Sequence, residues 1–180
     1  MATITRQEII GALERLGQLA VARGTRIELA LVGGALMVLV YEARESTRDV
    51  DAIILAPREA GTVRELAQVV ADERGWPDDW LNDGAKGFLI GLSSGPVVFL
   101  APGIEVRSPA TGQLLAMKLS AWRDDVDIAD ARRLLQEMPQ EMSGSRAEIW
   151  QAVEPYLVPG DELKAQYAFA DLWETLYGDN

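Results

Sequence analysis

The apolar positions of the chain alternate between helical and strand-like spacing. Residues 5–23 carry apolar side chains three and four positions apart, which predicts an amphipathic helix that stops near Gly24. The short apolar run at 27–32 predicts a buried strand, and residues 33–43 predict a helix that begins with two glycines. The run "DVDAIIL" at 49–55 predicts a second strand. This order of elements predicts an α/β fold.

The remaining pattern adds three extended segments and five helices. Residues 61–75 predict a helix with Thr62 as N-cap and Gly75 as its stop. A loop or short helix at 76–87, strands at 88–92, 96–100 and 104–108, helices at 110–122, 126–138, 145–157 and 161–177, and a turn at 139–145 follow. We expect one domain over residues 1–180, an α/β (α+β) fold with a mixed sheet flanked by helices. Its core would span about 27–135, with C-terminal helices at about 145–177.

The composition excludes several kinds of chemistry. The 180 residues are 48% hydrophobic and 25% charged, which is ordinary for a globular protein with a sizeable core. There is no cysteine and no histidine, which excludes thiolate zinc sites, thiol nucleophiles and serine triads that use histidine. Any chemistry must therefore use carboxylates, lysine, arginine, hydroxyls, backbone amides or a hard metal ion.

The charge and the hydropathy of the chain limit the kinds of partner that it can bind. The net charge is −11, from 28 acidic and 17 basic residues, so the chain is not a general nucleic-acid binder, although it could dock onto a basic partner. The N-terminus is charged and helical rather than a signal peptide, and no apolar run is long enough to span a bilayer. We therefore expect a cytoplasmic protein without a membrane partner.

Two aspartates open the second strand. Asp49 and Asp51 stand at positions i and i+2, which places two side chains of a strand on one face roughly 7 Å apart. If this strand returns beside the first, the carboxylates face the turn at Gly33 and Gly34. Carboxylates that bind Mg²⁺ beside a glycine turn that admits phosphate are what nucleotidyl transfer requires.

Each of these residues also has a purely structural interpretation. Asp49 could cap the strand entry, Asp51 could pair with Arg44 or Arg48, and the two glycines could form only a tight turn. Arg44 could equally contact a substrate phosphate. The combination of the features favours the metal-site interpretation.

Three stretches together resemble the polymerase-β-like nucleotidyltransferase superfamily. They are "LVGGALMVLVYEARESTRDVDAIIL", "DDWLNDGAKGFL" and "LLAMKLSAWRDDVDIADARRLL", and the resemblance is to small bacterial members of the abortive-infection and toxin–antitoxin type. It implies that Asp49 and Asp51 bind Mg²⁺ or Mn²⁺ and that Gly33, Gly34 and Thr47 contact the phosphates of an NTP substrate. The acceptor would be a hydroxyl on RNA, protein or a small molecule, with a cognate toxin or antitoxin protein as partner. A homodimer is compatible with the sequence.

The resemblance extends to a second group of residues. Lys118 matches the family's helix lysine, which would bind the triphosphate, and Arg123, Asp124 and Asp127 match its second motif. Alternatively, Lys118 extends its ammonium to water from an apolar helix. The arginine and the two aspartates could then be a charge cluster at a helix start.

One feature departs from the family pattern. A third carboxylate is expected on a later strand, but the matching strand "PVVFL" has no acid, and Glu105 in "IEVRS" is the nearest substitute. Glu105 and Arg107 would share one strand face, which either completes the metal site or points to solvent. The second outcome predicts a catalytically weak or inactive member that acts as an antitoxin or binding module. A further alternative is an aminoglycoside-type nucleotidyltransferase, since an acidic cleft suits a cationic substrate.

Overall fold

The fold is given by a computed structural model that describes residues 3–141 and 144–178. The chain divides into two compact units. The first comprises Met1–Lys86 with Gly95–Pro109, and the second comprises Gly87–Ser94 with Ala110–Asn180. The expectation of one domain stays a prediction.

The first unit is built on a five-stranded mixed sheet, which confirms the predicted α/β class. The strands are β2 (Ile27–Leu31), β4 (Val50–Ala56), β5 (Leu81–Asn82), β6 (Val97–Ala101) and β7 (Ile104–Arg107), in the order β5-β4-β2-β7-β6. Central β2 is antiparallel to β4, as the predicted return requires, and parallel to β7. A separate two-stranded sheet pairs β1 (Ile4–Thr5) with β3 (Ser46–Thr47).

Three helices complete this unit: α1 (Arg6–Ala22), α2 (Gly33–Leu39) and α3 (Ala60–Arg74). Helices α1 and α3 contact each other, and they reach the sheet at β7 and β4 respectively. At Gly17 a Cβ would lie 2.7 Å from the Ile104 side chain, so α1 packs closely on the sheet. Thr5 and Glu8 form a capping box that satisfies amides at the start of α1.

The second unit is a helical cluster around α4 (Thr111–Ala121). It also contains α5 (Asp125–Glu141), α6 (Arg146–Val153) and α7 (Glu162–Tyr177). Every residue of α4 except Lys118 is buried, because α5, α6 and α7 all contact this helix. The ammonium of Lys164 donates to the carbonyls of Ser120 and Ala121 at 2.9 and 2.7 Å, which satisfies the C-terminal end of α4.

A buried glutamine fixes the segment that precedes β6. The Gln113 Oε1 atom accepts from the amide and hydroxyl of Ser93 at 2.8 and 2.6 Å. Its Nε2 atom donates to the carbonyls of Gly91 and Ile90 at 3.1 and 3.4 Å. One side chain thus replaces the strand hydrogen bonds that residues 90–93 lack, since Gln113 is completely buried.

Several boundaries differ from the predictions. The predicted strand at 88–92 is wrong: its first residue belongs to a 3₁₀ segment, Gly84–Phe88, and the others form no strand. Helix α2 ends at Leu39 rather than 43, and Glu59 rather than Thr62 is the N-cap of α3. Helix α5 continues through the predicted turn as far as Glu141, and residues 142–143 lie outside the described residues.

In the described ranges, no helix combines the length and the apolarity that crossing a bilayer requires.

Gln113→Ala is expected to lower the free energy of unfolding by about 2–4 kcal/mol. The substitution leaves the polar groups of residues 90–93 without partners and opens a cavity. Chemical denaturation monitored by circular dichroism measures this change. Gln151→Ala on the exposed surface of α6 is the control, with an expected change within about 0.5 kcal/mol. Equal effects of the two substitutions would contradict the role of Gln113.

Candidate functional site

The first group of predicted site residues meets where β2 ends and β4 begins. The Val32 amide donates to the Asp51 carbonyl at 2.9 Å, directly before Gly33. Gly33 has a φ of +61°, and a Cβ there would lie 2.8 Å from the Asp51 Oδ2 atom. Glycine is therefore required twice, by the backbone conformation and by the approach of a carboxylate.

The second aspartate is linked to the same place through an asparagine. Asp49 lies just before β4, and its Oδ2 atom accepts from the Asn82 Nδ2 atom at 3.2 Å. The Asn82 Oδ1 atom accepts from the Gly84 amide at 2.8 Å. A Cβ at Gly84 would lie 3.5 Å from the Asp51 Oδ1 atom. The contacts therefore run from Asp49 through Asn82 to the glycine beside Asp51.

Sequence reasoning missed Asn82, which was placed in a loop or short helix. The available signal was weak: "WLNDG" contains one apolar pair before an Asn-Asp-Gly turn. In the structure Leu81 and Asn82 form a two-residue parallel strand beside Val50 and Asp51. That pairing places Asn82 next to the aspartates, and a pairing between segments so far apart in the chain leaves no local sequence signature.

Thr47 and Arg44 contact the other glycine. A Cβ at Gly34 would lie 2.5 Å from the Thr47 hydroxyl oxygen and 2.6 Å from the Arg44 Nη2 atom. Thr47 is buried, and its strand pairs with β1 at Ile4. Gly34 therefore gives a hydroxyl and a guanidinium access to the backbone that follows β2.

Glu105 lies in a different region of the same sheet. It pairs with Glu28 in the parallel register, whereas Asp51 is level with Val32, further along the chain beyond the end of β2. This offset is about 13 Å along the strands. The Glu105 carboxylate instead contacts Arg26 and Arg107, each at 2.6 Å, and its side chain is 13% exposed. Glu105 is thus neither beside the aspartates nor solvated, because two guanidinium groups hold it.

The second group of predicted residues forms an ionic cluster in the helical unit. The Lys118 ammonium lies 2.9 Å from an Asp127 carboxylate oxygen and 2.8 Å from one of Asp130. The lysine side chain is 13% exposed, and the two aspartates are buried. The Arg123 Nε atom donates to Asp127 at 3.0 Å. Two carboxylates thus balance the charge of Lys118, an arrangement that neither interpretation of the lysine included.

Asp124 has a local role at the start of α5. Its Oδ1 atom accepts from the amides of Val126 and Asp127 at 3.1 and 3.0 Å. These contacts are those of a helix N-cap. They agree with the interpretation of this cluster as a helix start.

The pKa of Asp127 reflects two opposing effects. Burial raises the pKa, but hydrogen bonds from Arg123 and Lys118 and the charge of Lys118 lower it more, to about 2. The folded state therefore binds a proton less readily than the unfolded chain, whose carboxyl has the ordinary value of 3.8. This contribution to stability is complete well above pH 4 and disappears as the pH falls towards 2.

The donor set at the aspartates fits one hard divalent cation. Asp49 and Asp51 supply carboxylate oxygens, which Mg²⁺ and Mn²⁺ prefer, and glycine at 33 and 84 keeps the surroundings of Asp51 free of a Cβ. Among residues 3–141 and 144–178, no three acidic side chains stand close enough together to hold a metal ion.

Gly33→Ala is expected to destabilise the first unit by about 1–3 kcal/mol, because alanine is strained at this φ and its Cβ meets Asp51. Gly61→Ala is the control, since no atom lies within 4 Å of its Cβ position and helix propensity improves. Thermal unfolding of both variants checks the difference. A Gly33→Ala protein as stable as the wild type would contradict the close approach of the Asp51 carboxylate.

Asp127→Asn is expected to remove the part of acid destabilisation that this carboxyl causes, about 2 kcal/mol between pH 5 and pH 2. Urea unfolding across that pH range measures the slope of stability against pH. Asp125→Asn in the exposed first turn of the same helix should keep the wild-type slope. Identical slopes in all three proteins would show that Asp127 is not held in its charged form.

Comparison of the chain with protein-family models, curated proteins and solved structures finds no match.

Proposed function

We propose that this protein binds a nucleoside triphosphate with a divalent cation and acts as a nucleotidyltransferase-type protein. The observation that carries the proposal is the approach of the Asp51 carboxylate to the Cβ positions of Gly33 and Gly84, at 2.8 and 3.5 Å. Asn82 adds Asp49 to this group. Two carboxylates beside a backbone without side chains can hold a cation where a phosphate can approach.

The acidic and the neutral residues of the proposed site would have separate roles. Asp49 and Asp51 would hold Mg²⁺ or Mn²⁺, which when bound neutralises phosphate charge and polarises a phosphate oxygen. The phosphates would approach the backbone at Gly33 and Gly34 beside the Thr47 hydroxyl and the Arg44 guanidinium, which already lie where a Cβ of Gly34 would be. Asn82 would orient Asp49 through its amide nitrogen.

A second candidate is a binding module with weak or no transferase activity. The contacts of Glu105 with Arg26 and Arg107 favour it, because they engage the acid that would complete a two-metal site. Lys118 also favours it, since a triphosphate must compete with two buried aspartates for the ammonium. On this alternative the protein would act as a member of a toxin–antitoxin or phage-defence pair.

Nucleotide binding is expected to require a divalent cation and to weaken at least about tenfold in Asp51→Asn, which removes a charged oxygen ligand but keeps its shape. Isothermal titration calorimetry with each NTP, with and without Mg²⁺ or Mn²⁺, measures this effect. Asp72→Asn is the control, because this carboxylate is exposed on α3 of the same unit. Equal affinities in the two variants, or binding that EDTA leaves unchanged, would contradict the proposed site.

A transfer assay separates the two candidates. Labelled NTPs are incubated with Mg²⁺ or Mn²⁺ and with total tRNA, candidate proteins or aminoglycosides as acceptors. We expect binding with little transfer, since Arg26 and Arg107 hold the Glu105 carboxylate away from the aspartates. Strong transfer by the wild type that Glu105→Gln abolishes would instead establish a complete enzyme.

A further inference from the structure

Lys118, the lysine that the sequence assigned to a triphosphate, is held by carboxylates of the second unit. Its ammonium lies 2.9 Å from Asp127 and 2.8 Å from Asp130, and both aspartates are buried. Moving the ammonium to a phosphate would take a counter-charge from two buried carboxylates, which is strongly unfavourable. A triphosphate is therefore better served by basic side chains at the surface.

Two basic side chains of this kind lie beside the segment that follows Asn82. The Asp83 carboxylate accepts from the Lys86 ammonium, and the Arg64 Nη2 atom lies 3.7 Å from the same carboxylate oxygen. Two positive charges thus share one negative charge, which leaves a charge of +1 on the three side chains. The chain as a whole has a charge of −11, so this positive surplus is a local property of the segment.

The segment that carries Lys86 contacts both aspartates of the candidate site. Asn82 donates to Asp49 at 3.2 Å and accepts from the Gly84 amide at 2.8 Å. A Cβ at Gly84 would lie 3.5 Å from the Asp51 Oδ1 atom. Two peptide steps separate Gly84 from Lys86, so their Cα atoms are at most about 7.6 Å apart. The flexible stem of the lysine can bring its ammonium to a phosphate bound beside Asp51.

The Asp51 carboxylate is open towards this segment. Its Oδ2 atom lies 2.8 Å from the Cβ position of Gly33, and its Oδ1 atom lies 3.5 Å from that of Gly84. Neither glycine adds a side chain that would cover the carboxylate, so a cation bound there can share phosphate oxygens on either side. On the Gly84 side, Lys86 is the next basic residue along the chain.

Lys86 and Arg64 can leave Asp83 with little loss of stability. The exposed fractions of their side chains are 56% and 63%, and that of Asp83 is 43%. Ion pairs between exposed side chains contribute little to stability. A phosphate group carries more negative charge than one carboxylate and accepts more hydrogen bonds, so it can replace Asp83 as the partner of both cations.

From these contacts we infer that Lys86 and Arg64 bind the terminal phosphates of the NTP. The inference rests on the proposed function and adds a substrate contact that Lys118 does not supply. The two cations exchange Asp83 for phosphate oxygens, while Asp49 and Asp51 hold the divalent cation. A monophosphate lacks the groups that these cations contact, so the pair selects a triphosphate over a monophosphate.

Isothermal titration calorimetry tests the inference with ATP, GTP, CTP and UTP, with their monophosphates and with inorganic tripolyphosphate, all in the presence of Mg²⁺. In Lys86→Gln we expect the affinities for NTP and tripolyphosphate to fall about tenfold, because a charged contact with the terminal phosphates is lost. The affinity for a monophosphate should not change. Arg64→Gln should act in the same direction, and Lys86→Arg, which keeps the charge, should bind NTP more tightly than Lys86→Gln.

Arg23→Gln is the matched control. Arg23 belongs to the same unit, its side chain is 57% exposed, and it lies 3.3 Å from Glu65 of α3. The control therefore removes the same charge from a comparable exposed ion pair. Circular dichroism shows whether each variant folds, and Arg64→Gln gives the same comparison if Lys86→Gln does not fold.

The outcomes separate this inference from the proposed function. A wild type that binds NTP, with Lys86→Gln no weaker than Arg23→Gln, would overturn the inference alone. An equal loss of affinity for triphosphates and monophosphates would also overturn it, since that result indicates a structural role for Lys86. A wild type that binds neither NTP nor tripolyphosphate would overturn the proposed function and the inference together.

Discussion

The hydrogen bond between the Val32 amide and the Asp51 carbonyl holds the candidate site together. Val32 directly follows the central strand β2, and Asp51 is the second residue of its antiparallel neighbour β4. The next residue in the chain is Gly33, which has a φ of +61°. Because the chain turns into α2 immediately after this bond, the glycine backbone and the Asp51 side chain are fixed relative to each other. Asn82 then reaches the same place because β5 pairs with the start of β4.

Local charge balance distinguishes the acidic residues of this protein. Glu105 and Asp127 each contact two basic groups, so neighbouring positive charges balance their negative charges. Asp49 instead accepts from a neutral amide, which orients a carboxylate without cancelling its charge. A carboxylate held in this way remains available to a cation. This difference is compatible with the role that we propose for Asp49.

The sequence was sufficient to predict the elements that have a local periodic pattern of apolar residues. The periodicity of α1, β2 and β4 and the glycine that ends α3 were sufficient to place those elements within a few positions. The approach of Asp51 to Gly33 was also predicted, because both residues lie within one short stretch of the chain. Asn82 and the partners of Glu105 were not, since they depend on strand pairing and register between distant segments. Residues 88–92 look like a strand by composition, but the carbonyls of Ile90 and Gly91 accept from the Gln113 side chain and not from a neighbouring strand.

The path of the chain restricts how this protein can be divided. The first unit consists of residues 1–86 and 95–109. The segment between them, residues 87–94, belongs to the second unit with the later helices. A fragment that ends at Lys86 would lack β6 and β7, exposing one side of the central strand along its length. A fragment that begins at Ala110 would lack the residues that Gln113 binds. Neither half is encoded as a continuous stretch, so a gene fusion or truncation that separates them at one point removes part of each.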